Sequence, residues 1–243
     1  MATAAQAKAF IKEIAPYAIK AYLTLGKVKP SVCIGMACVE SAYGRSAVMR
    51  SHNAFLGQKV GTGRTAKKYW DGKFFNAKTK EEYQLGVHTV IRDNFRAYDN
   101  MQQCFMNYYE LLNTSLYSKV KADADYKTQM QQIKQCRYMS SSTEVNSVIT
   151  IINKYDLTKY DLQTANDSNN DMEEYDMPTI KNNSKGKAVM VWQVIIGFTG
   201  DDVDGIFGSK TMKSTKVFQK EHDLKQDGIV GPKTWKVGLE SLR

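Results

Sequence analysis

PSVCIGMACVESAYGRS, residues 30–46, is the stretch on which the reading of the fold turns. Pro30 suits the first position of a helix, where its missing N–H would have no intrahelical partner anyway. Gly44 offers the left-handed conformation that ends one. Between them Val32, Cys33, Ile34, Met36, Ala37 and Val39 leave no polar face, which predicts a helix buried on all sides at the centre of a domain. Its last turn carries Glu40. Desolvation and the negative end of the helix dipole both favour the neutral carboxyl, the form a general acid needs near neutral pH. A glutamate at a helix end equally reads as a residue bonded to nearby backbone or paired with Arg45, because structural networks also perturb carboxyl groups.

Upstream, Phe10, Ile11 and Ile14 repeat at helical spacing, Pro16 reads as the start of a second helix and Gly26 as its end. Downstream, residues 51–64 are Gly-rich and irregular, and then the texture changes. Residues 67–98 hold many aromatic and β-branched residues among turn signals at Asp71-Gly72 and near Gly86, and HTVIRDNFRAY (88–98) alternates. That pattern predicts one or more β-hairpins. From Asp99 to residue 154 the helical period returns. The expected fold is mainly α, an α+β body of helices with a β-hairpin lobe inserted in its middle.

Composition narrows the partners. With 243 residues, 42% hydrophobic, 24% charged and 4 Pro, the chain is neither collagen-like, coiled-coil nor wholly disordered. No run approaches 18 consecutive apolar residues, so no membrane insertion is expected. Lys8 and Lys12 sit where an export signal needs its apolar stretch. The expectation is cytoplasmic synthesis followed by release, or a leader already removed. The net charge of +9 divides as +10 over residues 1–161, −5 over 162–178 and +4 over 179–243. The acidic strip LQTANDSNNDMEEYDMP (162–178) has too little apolar surface to repay its ordering entropy and reads as a linker. Two basic bodies suit a polyanion: nucleic acid, a membrane surface or a bacterial cell wall. No aromatic-basic stacking motif or DNA-reading helix supports nucleic acid. Cys33, Cys38, Cys104 and Cys136, with His52, His88 and His222, have no metal-ligand spacing, and GQKVGTGR (57–64) lacks phosphate-loop spacing. No cofactor and no metal are expected, and a monomer is.

Several ordered motifs carry a resemblance. Glu40-Ser41 is followed by Gly44 and Ser46; Asn53-Ala54-Phe55-Leu56-Gly57-Gln58-Lys59 stands where a family pattern has Asn-Asn-Leu-Phe-Gly-Ile-Lys. Glu82-Tyr83-Gln84-Leu85-Gly86 precedes Phe95-Arg96-Ala97-Tyr98, and Tyr138-Met139-Ser140-Ser141 replaces a Tyr-Ala-Thr-Asp element, keeping only its Tyr. Over residues 5–161 the chain resembles glycoside hydrolase family 73, the endo-β-N-acetylglucosaminidases of the lysozyme-like superfamily. The resemblance implies cleavage of the β-1,4 bond after N-acetylglucosamine in peptidoglycan, with Glu40 as general acid. It places the second acidic residue on a mobile β-lobe, where Glu82 is the nearest match and adjacent Glu81 the weaker one. It also puts Tyr138 in the catalytic cleft and makes Asn53, Phe55 and Tyr98 substrate-binding candidates. Trp70, Phe95 and Tyr98 could also wall a sugar site, but aromatics in strands more often pack a lobe, and Tyr138 is equally readable as a core tyrosine with a satisfied hydroxyl. A muramidase or lytic transglycosylase would use the same Glu40, and a wall-binding protein without activity is the non-enzymatic alternative.

Residues 179–243 contain an internal echo: DGIFGSKT begins at Asp204 and DGIVGPKT at Asp227, 23 positions later. Each Asp-Gly supplies a tight turn. The segment between them is expected to be a helix with Met212, Thr215, Val217 and Phe218 inward. This module resembles the three-helix peptidoglycan-binding domain of wall hydrolases. The division expected is thus a catalytic domain (1–161), a linker (162–178) and a binding module (179–243), as in a phage endolysin or a bacterial autolysin. If the charge of +9 draws the chain to an anionic wall, the lysis that the resemblance implies falls as ionic strength rises beyond ~0.15 M. Turbidity clearing of bacterial cells across a salt series measures it, and a flat response removes the electrostatic argument.

Overall fold

The computed structural model describes residues 2–61, 66–84, 86–141, 143–161 and 177–242. The chain divides into two units, Met1–Thr158 and Lys159–Arg243. The expected acidic linker lies outside the described residues except for residues 177 and 178.

The first unit opens with helix α1, Ala4–Leu25, capped by Thr3 and Gln6, which exchange side-chain and backbone hydrogen bonds. Two helices were expected here; one runs through, with Pro16 inside it. Proline offers no N–H to the carbonyl four residues back. Phe10, Ile11, Ile14, Ala18 and Ile19 are buried on both sides of it, and that packing offsets the loss. Helix α2, Pro30–Glu40, is the predicted central helix: Val32, Cys33, Ile34, Met36, Ala37 and Cys38 are fully buried. It ends at Glu40, and the chain reverses through Ala42, Tyr43 and Gly44, all at positive φ. Helices α3 (Ala47–Ser51), α4 (Met101–Leu112), α5 (Tyr126–Gln135) and α6 (Glu144–Lys154) complete the body. Helix α2 packs on α1, α5 and α6. At Gly35 a β-carbon would lie 2.9 Å from Val148 Cγ1 and 3.1 Å from Ile152 Cγ1, so α2 and α6 touch backbone to side chain there.

The aromatic stretch forms one antiparallel hairpin, β1 (Phe74–Gln84) and β2 (Val87–Arg96), with Phe75 opposite Phe95, Glu81 opposite Thr89 and Glu82 opposite His88. Phe75 and Phe95 pack with Ala54 and Ala97 at its base, and the His52 ring stacks on Phe75 at 4.2 Å. The 58–60 loop runs beside β2: Arg96 N–H bonds the Gln58 carbonyl at 2.8 Å and Val60 N–H the Asn94 carbonyl at 2.9 Å.

The second unit holds α7 (Lys187–Ile195), α8 (Ser209–Glu221) and α9 (Pro232–Glu240). Its two sequence echoes fold alike around a buried glutamine. Gln193 accepts from Gly205 N–H at 2.9 Å and donates to Asp204 Oδ1 and the Ile206 carbonyl. Gln219 accepts from Gly228 N–H at 2.9 Å and donates to Asp227 Oδ1 and the Ile229 carbonyl. Each glutamine thus closes the Asp-Gly turn that follows its own helix. The inward face of α8 carries Thr211, Thr215, Phe218 and Gln219, while Val217, expected inward, is 49% exposed. Trp192, buried beneath, meets the Trp235 ring edge-on at 5.3 Å, and a β-carbon at Gly238 would lie 2.6 Å from Trp192 Cζ3.

Replacing Gln219 by Leu leaves the Gly228 N–H and the Ile229 carbonyl without their partner. The loss expected is about 1–3 kcal/mol, read from urea unfolding followed by tryptophan fluorescence. Val217→Ala, on the exposed side of the same helix, changes stability by less than about 0.5 kcal/mol.

Candidate active site

Glu40 is the last residue of α2, where the dipole of the helix opposes a negative charge. The next residue holds the end in shape: Ser41 Oγ donates to the Ala37 carbonyl at 2.6 Å and accepts from Gly44 N–H at 2.8 Å. The carboxyl group then lies against Gly57. A β-carbon built there would collide with Glu40 Oε2 and come within 2.9 Å of its Cδ, and Gly57 also has φ +62°. Position 57 is therefore restricted to glycine twice over, once by backbone conformation and once by the carboxyl it admits. Tyr138 fixes the same loop, its hydroxyl donating to the Leu56 carbonyl at 2.7 Å. Arg45 is exposed and forms no ion pair with Glu40 among the described residues.

Burial pushes the Glu40 carboxyl well above the usual carboxylate range; the charge of Glu144 and a hydrogen bond with it push further, Glu81 adds to this, and Lys59 opposes. Glu144, the first residue of α6, is raised mainly by its own burial, against the Glu40 hydrogen bond and the Lys134 charge. The lobe contributes Glu81, whose carboxylate accepts from Lys59 Nζ at 2.7 Å and from Thr79 Oγ1 at 3.3 Å. Lys59 also reaches Asp93 at 3.1 Å. Burial works against the Lys59 ammonium, yet these two carboxylates outweigh it and its pKa is raised.

The strand's two-residue period separates the adjacent lobe acids. Phe75, Ala77, Thr79 and Glu81 lie on the more buried face of β1; Asn76, Lys78 and Lys80 lie on the exposed one. Glu82 follows that second series: its carboxylate accepts from Gly86 N–H at 2.8 Å, inside the hairpin turn, and its backbone N–H bonds Ser140 Oγ at 3.3 Å. The charge of Glu81 acts on Glu40, and the carboxylate of Glu82, the nearer match by motif, is bonded in the turn.

The expected substrate contacts are placed differently from the reading of the motif. Phe55 is fully buried against Phe10, 5.7 Å between ring centres, so it packs the core and presents nothing to a ligand. Tyr98 is 5% exposed, its hydroxyl donating to Gln58 Oε1 at 2.7 Å and Asn107 Oδ1 at 2.9 Å. Asn53, at φ +49°, donates its amide to the Tyr98 carbonyl at 3.0 Å. These residues tie the glycine loop to the hairpin base. Asn107 Oδ1 also accepts from Arg96 Nη1 at 2.8 Å, and the Arg96 guanidinium lies 4.4 Å from the Trp70 ring centre. Tyr138 does stand beside the acid, its phenol raised well above its usual range by burial first and then by Tyr108 and Glu40. Glu144 had no place in the motif reading. A Thr143-Glu144 pair opening an apolar helical period was the available signal, but nothing local says what lies opposite it. No cluster of three His, Cys, Asp or Glu residues among the described residues is arranged to hold a metal. The site can hold a neutral carboxyl in a dense, poorly hydrated setting with anionic carboxylates beside it, which suits proton donation to an oxygen leaving group.

Comparison with known proteins agrees in outline. The pattern of the mannosyl-glycoprotein endo-β-N-acetylglucosaminidase family matches residues 15–157, and that of a peptidoglycan binding domain matches residues 194–237. The chain is 25% identical over 154 residues to peptidoglycan hydrolase FlgJ of Vibrio parahaemolyticus, covering 60% of this chain and 47% of that one. The chain spans about half the length of the curated relatives it matches. Among solved structures, a peptidoglycan hydrolase mutant from Sphingomonas sp. A1 aligns with TM-score 0.53 and 26% identity, over 63% of this chain and 97% of that one. The catalytic domain of the autolysin Auto from Listeria monocytogenes aligns with TM-score 0.52 and 25% identity, over 66% and 90%. The mainly helical fold with one small antiparallel sheet is the fold these proteins share.

Gly57→Ala forces the Glu40 carboxyl from its place. A displacement of that kind lowers kcat/KM by about a hundredfold, while the backbone strain at positive φ costs about 1–2 kcal/mol of stability. Glycan-cleavage rates compared with the thermal midpoint of the variant separate the two effects. Activity retained at the wild-type level removes the close approach as a constraint.

Proposed function

Because the chain belongs to the mannosyl-glycoprotein endo-β-N-acetylglucosaminidase family, and is thereby a glycoside hydrolase, we propose that it hydrolyses the β-1,4 bond after N-acetylglucosamine in bacterial peptidoglycan with Glu40 as the general acid. The observation that carries this reading is the seating of the Glu40 carboxyl. It stands at the C-terminal end of a buried helix, against a residue without a side chain, and its pKa is raised by burial and by neighbouring carboxylates. A carboxyl group that keeps its proton at neutral pH can deliver it to the glycosidic oxygen as the bond breaks. Because only the protonated form donates, kcat/KM falls on the alkaline side as pH passes the raised pKa of Glu40.

Most glycoside hydrolases draw on a second carboxyl group, while some use the N-acetyl group of the substrate itself; Glu81 is the lobe acid we assign to the first of these routes. Its support is the strand alternation that turns Glu81, and not Glu82, toward the acid helix. Lys59 holds the Glu81 carboxylate from below. Tyr138 keeps the Leu56-Gly57 turn against Glu40, a role in positioning the acid. In this reading residues 1–161 are the catalytic domain and 179–243 the wall-binding module. Joined by residues 162–178, the module raises the concentration of glycan strands at the active site.

The test is mass spectrometry of borohydride-reduced products from purified peptidoglycan. New reduced N-acetylglucosamine ends are expected with the wild type and none with Glu40→Gln. Reduced muramic acid or anhydromuramic ends would move the cleavage to the other glycan bond. Between the lobe acids, Glu81→Gln is expected to lower kcat at least about tenfold more than Glu82→Gln, as the loss of a residue acting in the transition state does. The reverse ordering returns the role to Glu82.

A further inference from the structure

We propose that Glu144 is the positioning residue of the general acid: its carboxylate, carried on the first residue of α6, accepts the hydrogen bond in which Glu40 holds its proton. The inference rests on the reading of Glu40 as that acid.

The placement follows from the helix crossing. With Gly35 of α2 against Val148 and Ile152 of α6, two rigid helices run side by side. Glu40 lies five residues beyond Gly35, about 7.5 Å along its axis, and Glu144 four residues before Val148, about 6 Å along its own. Glu144 acts on Glu40 both by its charge and through a hydrogen bond, so the two steps lead to the same end of the crossing, which makes α2 and α6 run in opposite directions there.

Two carboxyl groups in contact hold one proton between them, because two adjacent negative charges in a poorly solvated site repel strongly. Which oxygen keeps the proton is decided by the helices. Glu40 stands at the C-terminal end of α2, the negative end of its dipole, and Glu144 in the first turn of α6, the positive end. The two dipoles act in the same sense: neutral Glu40, ionised Glu144. The surrounding charges refine this. Lys134 of α5 faces Glu144 and also ties the 139–141 loop through the carbonyls of Met139, Ser140 and Ser141. Glu81 of β1 faces both acids, Lys59 faces Glu40, and the neutral phenols of Tyr108 and Tyr138 border the pair.

The arrangement has a consequence for turnover. When Glu40 gives its proton to the leaving oxygen, it becomes an anion beside the Glu144 anion. That repulsion draws back onto Glu40 the proton released when water adds to the sugar. Without Glu144 the acid would still be present, but ionised over more of the pH range.

The experiment is kcat/KM against pH on solubilised peptidoglycan strands for the wild type, Glu144→Gln, Glu144→Asp and Glu40→Gln. For Glu144→Gln the alkaline limb is expected to move to lower pH by about one unit, an approximately tenfold loss at a fixed pH on that limb. Its acid-side plateau is expected to stay within about threefold of the wild type. Glu144→Asp, a shorter carboxylate, restores part of the shift. A Glu144→Gln profile that superimposes on the wild type, one that is lowered equally at every pH, or a limb that moves upward overturns the proposal. If Glu144→Gln does not fold, as judged by circular dichroism, the Asp variant decides: a limb unmoved from the wild type overturns the proposal, a partial downward shift supports it. Glu40→Gln separates the two readings, since a variant that keeps activity and its alkaline limb defeats the assignment of Glu40 itself.

Discussion

The carboxyl of Glu40 fills the space that a side chain at position 57 would need, and much of the first unit serves that contact. The acid can reach the glycine because α2 is buried to its last turn. The glycine loop stays in place because its hydrogen bonds run to three separate elements. Gln58 and Val60 pair with β2, the Leu56 carbonyl takes the Tyr138 hydroxyl, and Asn53 holds Tyr98. Behind the loop, Gln58, Tyr98, Asn107 and Arg96 form a buried polar network. Such a network is stable only when its members are satisfied together, so it ties the hairpin, the loop and α4 into one piece. Of the residues that looked like a sugar-binding surface in the motif, Tyr98 belongs to this support and Asn53 bonds its carbonyl, while Phe55 packs the core against Phe10.

The electrostatics follow from the same packing. Glycine at position 35 lets α6 approach α2 closely, and that approach brings the opposed helix ends together. Glu144 then faces Glu40 with opposite dipole preference. A hairpin rising from the other side adds Glu81, with Lys59 beneath it. The raised pKa of Glu40 therefore comes from its burial and from the helix end that Glu144 occupies. The charges acting on Glu40 come from α6, from β1 and from the loop that carries Lys59.

The second unit works by repetition. One glutamine per repeat, buried at the end of a helix, satisfies the amide and the carbonyl of the Asp-Gly turn that follows. A turn of this kind is short and bent at a positive-φ glycine, and unpaired backbone groups inside it would be costly. Two tryptophans and Phe218 fill the small core that the three helices leave. The echo in the sequence was visible as DG-I-x-G, whereas the two glutamines were not, since they stand 11 and 8 residues before the aspartates they bond.

What the sequence determined by itself was local. A run of apolar residues between Pro30 and Glu40 reads as an interior helix, the alternation of 88–98 as a strand, and DGIFG and DGIVG as turns, because each is a statement about side-chain period and backbone conformation. The motif order marked Glu40 and the lobe. Tertiary structure decided what period and motif leave open. Pro16 stayed inside a helix because burial on both sides outweighed one missing hydrogen bond. Val217 turned outward because the α8 core stripe runs through Thr215, Phe218 and Gln219. Glu81 lies on the more buried face of β1 and Glu82 on the other, because one step along a strand reverses the face, and the register that sets the face comes from pairing across the hairpin. Glu144 entered the site from a helix about a hundred residues away in sequence, through a crossing at Gly35 that only the folded chain can make.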